Sequence, residues 1–241
     1  GAKGKTVLNN CAVEPEVLDL VKFLRKLGSN IKIKKRKIEI TGQDESNKNI
    51  QHKIIFDRIE AGTYLIAGAL IGKSITITNV ESKILKSEVE ILKKIGAKII
   101  LSKNTITISK PKKLKKVNFA TKPYPGFPTD LQAQFMVLMS QAEGLSKIKE
   151  NIFENRFMHV PELKRMGAKI EIRNNVANIS GPCFLTGAEV MATDLRASVS
   201  LVLAALIADK RTKINRIYHL DRGYQDLEKK LIKCKAQIKR V

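Results

Sequence analysis

Acidic residues are scarce in this chain: 23 Asp and Glu stand against 45 Lys and Arg among 241 residues, a formal net charge of +22. Long apolar runs are missing too. None approaches the roughly 18 residues that cross a bilayer, which excludes a membrane-spanning helix. With 43% hydrophobic residues the chain is globular in class and has room for one large domain or two modest ones. Cysteine is limited to Cys11, Cys183 and Cys234, odd in number, widely spaced and without a Cys-x-x-Cys pair. That pattern argues against a disulfide framework and a zinc site, and a reducing, cytoplasmic setting is expected. No initiating Met, charged n-region or cleavage site marks a secretory signal at Gly1, so the chain is expected to begin inside a longer protein.

A charge of +22 raises nucleic-acid binding as a function, because clustered Lys and Arg release counterions when they neutralise phosphates. The basic residues, however, are 34 Lys against 11 Arg, spread over every segment. Arg is the better bidentate reader of phosphate, so this enrichment reads as solvated faces rather than a dedicated surface, and no nucleic-acid partner is expected. Nor do metal-ligating side chains cluster in the sequence, and no metal requirement is expected.

What is present is a repeat. Leu24-Arg25-Lys26-Leu27-Gly28-Ser29-Asn30-Ile31 reappears as Leu92-Lys93-Lys94-Ile95-Gly96-Ala97-Lys98-Ile99 and as Leu163-Lys164-Arg165-Met166-Gly167-Ala168-Lys169-Ile170, with a worn copy at Leu231-Ile232-Lys233-Cys234-Lys235-Ala236. The spacing of about seventy residues is too long for a solenoid and suits a small multi-element unit. In the second copy an apolar run from Gly62 to Ile71 predicts a buried helix and the alternation Ser74–Thr78 a strand. Leu85, Val89, Leu92 and Ile95 mark one face of a helix stopped at Gly96, and strands follow at 98–101 and 105–109.

The third copy predicts a helix from Asp130 through Met139, a strand at 146–149 and a helix from Pro161 to Gly167. The fourth predicts a helix from Asp194 through Ala208, a strand at 212–216 and a helix at 224–233. The first copy begins at the strand Thr6-Val7-Leu8. The helices after Asp57, Asp130 and Asp194 are apolar on nearly every side, hence enclosed, and their Ala, Gly and Ser content permits close approach. These patterns predict two parts: residues 1–55, the end of a truncated first domain, and 56–241, three units packed with pseudo-threefold symmetry.

Each of those aspartates precedes a buried helix, which N-capping alone can explain. Yet the flanks bring carboxylates, amides and guanidinium groups together at helix N-termini, where anions bind. With Asn9-Asn10-Cys11-Ala12-Val13-Glu14-Pro15, Asp57-Arg58-Ile59-Glu60-Ala61-Gly62-Thr63, Phe127-Pro128-Thr129-Asp130, Phe153-Glu154-Asn155-Arg156-Phe157-Met158-His159-Val160-Pro161, Thr193-Asp194-Leu195-Arg196-Ala197-Ser198 and Arg216-Ile217-Tyr218-His219-Leu220-Asp221-Arg222-Gly223-Tyr224 in order, the chain resembles the enolpyruvyl (1-carboxyvinyl) transferases, in particular those that use UDP-N-acetylglucosamine.

The resemblance implies a fold of two inside-out α/β barrels with the site in the cleft between them. It implies transfer of the enolpyruvyl group of phosphoenolpyruvate, a co-substrate rather than a cofactor, to the sugar 3-hydroxyl. A tetrahedral adduct forms and phosphate leaves, in the synthesis of peptidoglycan precursors. Asp130 matches the aspartate near the 3-hydroxyl, and Ile152 the position whose main chain contacts the nucleotide sugar. Arg222 matches an arginine at the phosphoenolpyruvate end, and Asp194 with Arg196 the cluster beside the reacting carbon. Glu14, Asp57, Glu154 and Arg156 fall at the cleft in orienting roles, although a helix-start or loop role suits Glu14 and Glu154 as well. His159 and His219 are read as structural.

By the same resemblance the chain covers a little more than the family's C-terminal half. The lysine–asparagine pair, the reactive-cysteine loop and the uridine-contacting arginine loop lie upstream, in the missing N-terminal half of the same enzyme. The chain alone is therefore expected to be inactive. The alternatives are the sister transferase acting on shikimate 3-phosphate, and a nonenzymatic basic protein that binds anionic partners through its charge.

Overall fold

A computed structural model of the chain describes residues 2–43 and 49–241. They form two compact units, Gly1–Asp57 with Pro123–Pro125, and Arg58–Lys122 with Gly126–Val241.

In the first unit, strand β1 (Lys5–Leu8) is followed by helix α1 (Pro15–Lys26) and the strands β2 (Asn30–Lys34) and β3 (Lys37–Thr41). The sheet is antiparallel in the order β1-β3-β2. Its small core is Val21 of α1 against Ile31 and Ile38, with Val17, Leu24, Ile33, Ile40 and Cys11 packed around them. This is the amphipathic stripe of α1 laid on one face of an alternating sheet.

The second unit opens with α2 (Arg58–Leu70) and repeats the plan with β4 (Ile75–Thr78), α3 (Lys86–Ile95), β5 (Lys98–Leu101) and β6 (Thr105–Ser109), in sheet order β4-β6-β5. After the short β7 (Asn118–Ala120) come α4 (Gln132–Ser140), β8 (Gly144–Lys149), α5 (Val160–Arg165), β9 (Lys169–Arg173) and β10 (Val176–Gly181), with sheet order β7-β8-β10-β9. The chain ends with β11 (Glu189–Met191), α6 (Val199–Ala205), β12 (Lys213–Asn215), α7 (Tyr218–Asp221) and α8 (Leu227–Lys233). Three times, therefore, a strand, a covering helix and a hairpin place the last strand beside the first. Helix α4 is buried at every position and packs between α2 and α6. A side chain at Gly62 would meet Leu131 Cδ1 at 2.4 Å, so the small residues of α2 are what allow this approach.

The repeat markers have a shared geometry. Gly28, Gly96 and Gly167 all lie at positive φ just past a helix, and in each the next residue's N–H bonds back to the carbonyl of Leu24, Leu92 or Leu163. In the worn copy Lys235 keeps the same turn at φ 67, with Ala236 N–H donating to the Leu231 carbonyl.

Several expectations are corrected. The helix read from Asp194 begins only at Val199, because side chains hold the preceding turn: Ser198 Oγ accepts the N–H groups of Thr193 and Asp194, and Asp194 Oδ1 accepts those of Arg196 and Ala197. The helix read at 224–233 begins only at Leu227, after a turn in which Asp226 sits at φ 49, and the short α7 at Tyr218–Asp221 before it was not expected. Strands β7 and β11 were not expected. Each is three residues long, too short to show a period, and each pairs in parallel with the opening strand of a later segment, β8 and β12. After α8 no strand follows among the described residues, and the sheets, of three, three, four and two strands, do not close into a barrel there.

Candidate functional site

The second unit gathers charged groups beside the N-terminal ends of α4 and α6. Asp130 lies in the single 3-10 turn Thr129–Leu131 before α4. Its carboxylate makes no capping bond. Instead Oδ1 accepts a hydrogen bond from Arg156 Nη2 at 2.6 Å, and Arg156 Nη1 lies 4.0 Å from Asp194 Oδ2. Arg156 comes from the loop after β8, with its guanidinium 5.5 Å from the Phe153 ring. One arginine, only 14% exposed, thus stands between two half-exposed carboxylates. Asp194 also serves its own turn, accepting the Arg196 and Ala197 N–H groups, so the capping explanation accounts for one of its oxygens and for neither of Asp130's.

Arg196 donates through Nη1 to the Gly223 carbonyl at 2.6 Å and lies 5.2 Å from the Tyr224 ring. This places the turn before α6 against the segment that carries Arg222. Arg222 itself is exposed, and among the described residues it makes no ion pair or hydrogen bond. Ile152 is exposed, with its N–H donated to Glu150 Oε1 at 2.8 Å. Glu154 is exposed in the same loop and touches no charged partner among the described residues. Glu14 and Asp57 belong to the first unit. Glu14 stands at the N-cap of α1 and makes no side-chain cap bond; its carbonyl accepts the N–H groups of Val17 and Leu18. The structure therefore brings Asp130, Arg156, Asp194 and Arg196 together, with Ile152 and Arg222 on adjoining segments.

Three further features lie behind these residues, and of them only His159 was singled out in the sequence, as structural. Behind Asp130, Gln134 Nε2 lies within hydrogen-bond distance of the Asp130 carbonyl, the Arg196 carbonyl, Thr63 Oγ1 and Tyr224 Oη, a buried knot joining α2, α4 and the turns before α6 and α8. Thr63 and Tyr224 hydroxyls bond to each other at 2.9 Å. His159, at the start of α5, is 1% exposed. Burial pushes its imidazole down to about 4; Asp194 pulls the other way and Arg156 adds to the depression, so the ring is neutral at pH 7. The third is Glu150, a buried carboxylate under the 152–156 loop. Neither the Gln134 knot nor Glu150 has a sequence signal of its own, since each is defined by partners distant in the chain.

Comparison with known proteins follows the same lines. The model of the EPSP synthase (3-phosphoshikimate 1-carboxyvinyltransferase) family matches residues 1–231. The UDP-N-acetylglucosamine 1-carboxyvinyltransferase of Pelagibacter ubique (strain HTCC1062) is 59% identical over all 241 residues, and that of Rickettsia felis (strain ATCC VR-1525 / URRWXCal2) is 52% identical. The chain spans 58% and 57% of those relatives' lengths. Among solved structures, the enolpyruvyl transferase NikO from Streptomyces tendae superposes with a TM-score of 0.90 at 31% identity, over 99% of this chain and 57% of that one. EPSP synthase from Acinetobacter baumannii shares the fold at a TM-score of 0.68 and 19% identity, over 99% and 59% of the two chains. With the repeat, the three like sheets and the carboxylate–guanidinium cluster in place, the chain belongs to the EPSP synthase family of enolpyruvyl transferases.

Proposed function

We propose that the protein containing this chain transfers the enolpyruvyl group of phosphoenolpyruvate to the 3-hydroxyl of UDP-N-acetylglucosamine, releasing phosphate in the first committed step of peptidoglycan precursor synthesis. The observation that carries the reading is Asp130 held through one oxygen by Arg156, with Asp194 on the other side of the same guanidinium. A carboxylate fixed by Oδ1 has Oδ2 to accept the proton of an attacking hydroxyl, the arrangement a general base requires. The oxygen adds to the enol carbon, the methylene carbon takes a proton, and loss of that proton with phosphate restores the double bond. Arg222, exposed and uncommitted among the described residues, is suited to bidentate recognition of the phosphate or carboxylate of phosphoenolpyruvate. Arg196 adjoins it through its bond to the Gly223 carbonyl, with Asp194 in the same turn as Arg196, and the Ile152 main chain offers the nucleotide-sugar contact.

Glu14, Asp57 and Glu154 are assigned orienting roles in this reaction by the resemblance. Residues 1–55 are assigned to the end of a first barrel domain, and 56–241 to a second inside-out barrel domain of three repeat units. No cofactor, metal, nucleic acid or membrane enters this scheme, and the setting is cytoplasmic. Identities of 59% and 52% to transferases named for UDP-N-acetylglucosamine favour that acceptor over shikimate 3-phosphate, the acceptor in the family model's name. The test is phosphate release by the full-length protein with phosphoenolpyruvate and each acceptor in turn. Release with shikimate 3-phosphate alone would reverse the assignment.

A further inference from the structure

A single buried carboxylate lies behind both halves of the Asp130–Arg156 pair. Glu150, the residue just past β8, is 4% exposed. Its Oε1 accepts the Ile152 N–H at 2.8 Å, the Phe153 N–H at 3.1 Å and the Thr121 hydroxyl at 2.7 Å, while Oε2 accepts the Thr129 hydroxyl at 2.9 Å. Ile152 and Phe153 begin the loop that carries Arg156, whose guanidinium rests over Phe153. Thr129 adjoins Asp130 in the same 3-10 turn. The fully buried Thr121 is itself tied down, its Oγ1 accepting the Asn151 N–H at 2.8 Å, and Asn175 Nδ2 donates to the Glu150 carbonyl at 2.8 Å. Four hydrogen bonds on one buried carboxylate, two from the Ile152–Phe153 main chain, one from Thr129 in the Asp130 turn and one from the buried Thr121, fix a distance that neither segment sets alone.

We propose that Glu150 is a positioning residue of the candidate site: it holds the Ile152–Phe153 main chain and the Asp130 turn in register, so that the loop presents its backbone to the nucleotide sugar while Asp130 meets Arg156. The role rests on the functional reading above for its kinetic consequence, though not for its structural one. It is a matter of reach and acceptor geometry. In Glu150→Gln the amide oxygen still accepts the Ile152 and Phe153 N–H groups, and the amide nitrogen donates to the Thr129 hydroxyl, which turns to accept. In Glu150→Asp the charge is kept and the reach is shortened by one methylene, so the two walls are no longer bridged.

The experiment compares both variants with the wild-type full-length protein by amide hydrogen exchange at Ile152 and Phe153 and by steady-state kinetics, with unfolding midpoints measured alongside. Glu150→Asp is expected to exchange these two amides about 10-fold faster or more, to raise KM for UDP-N-acetylglucosamine and to lower kcat, each on the order of 10-fold. Glu150→Gln is expected to stay within about 3-fold of wild type in all three. Unchanged exchange in Glu150→Asp overturns the proposal. So does a folded Glu150→Gln as impaired as Glu150→Asp, which would make the charge and not the reach decisive. If the wild-type protein transfers to no nucleotide sugar, the functional reading fails separately, and the exchange contrast alone decides whether Glu150 sets this loop.

Discussion

At the scale of single residues, Asp130, His159 and Glu88 make three different demands on their surroundings. Asp130 needs one oxygen held and one available. Asp130→Asn keeps the size and removes the proton acceptor, and it is expected to lower kcat by about 10²–10⁴-fold with little change in nucleotide-sugar binding. Phosphate release and a binding titration measure the two separately. His159 is constrained by burial, and its sign is fixed by the direction of its shift. The neutral ring is favoured in the folded state, whose value is about 4 against an ordinary 6.5, so between those values the unfolded chain binds the proton first. Its contribution is complete above about pH 6.5 and is lost as pH falls toward 4, on the order of 3 kcal/mol at most. Urea unfolding at pH 7 and pH 4.5 should show a smaller loss in His159→Asn than in wild type. Glu88 has the opposite sign: burial holds its carboxyl above the usual range, against a hydrogen bond from Ser87 and the nearby Arg58 charge. Stability associated with it falls as pH rises, and Glu88→Gln is expected to raise the unfolding midpoint at neutral pH.

At the scale of elements, legibility followed length and period. The strands at 98–101 and 105–109 and the helix stop at Gly96 were readable to the residue, because alternation and a left-handed glycine are local signals. Strands β7 and β11 were not, since three residues carry no period and their partners come from later in the chain. The candidate site was legible only as far as its motifs reached. Asp130, Asp194 and Arg196 stand in recognisable blocks, whereas the pairing of Arg156 with Asp130 is a contact across 26 positions that no spacing announces. The worn fourth copy is where pattern and energetics meet. Lys235 occupies the position of Gly28, Gly96 and Gly167 and retains their positive φ, a conformation that costs a residue with Cβ roughly 1 kcal/mol or more. Lys235→Gly is therefore expected to stabilise the end of α8 by about 1 kcal/mol, seen as a higher denaturation midpoint with an unchanged denaturant slope.

At the scale of the whole molecule, catalysis by positioning requires all the groups that hold the two reactants, and this chain spans 57–58% of the length of the curated relatives it matches. The second unit brings Asp130, the proposed base, together with Arg156, Asp194 and Arg196, while Glu14 and Asp57 belong to the first unit. A base without the groups that fix and protonate the other reactant loses the advantage of proximity, which accounts for about 7–11 kcal/mol of barrier lowering in well-oriented reactions. The 241-residue polypeptide alone is thus expected to release no phosphate from phosphoenolpyruvate above background in the presence of UDP-N-acetylglucosamine, under conditions where the full-length protein turns over. Arg222 allows the same comparison to separate binding from chemistry. Its exposed guanidinium is part of this chain, so weak anion binding that Arg222→Ala abolishes can persist where turnover does not. Turnover by the isolated polypeptide would mean that the segments described here are sufficient for the reaction, and that the base, the anion site and the proton donor to the methylene carbon all lie among them.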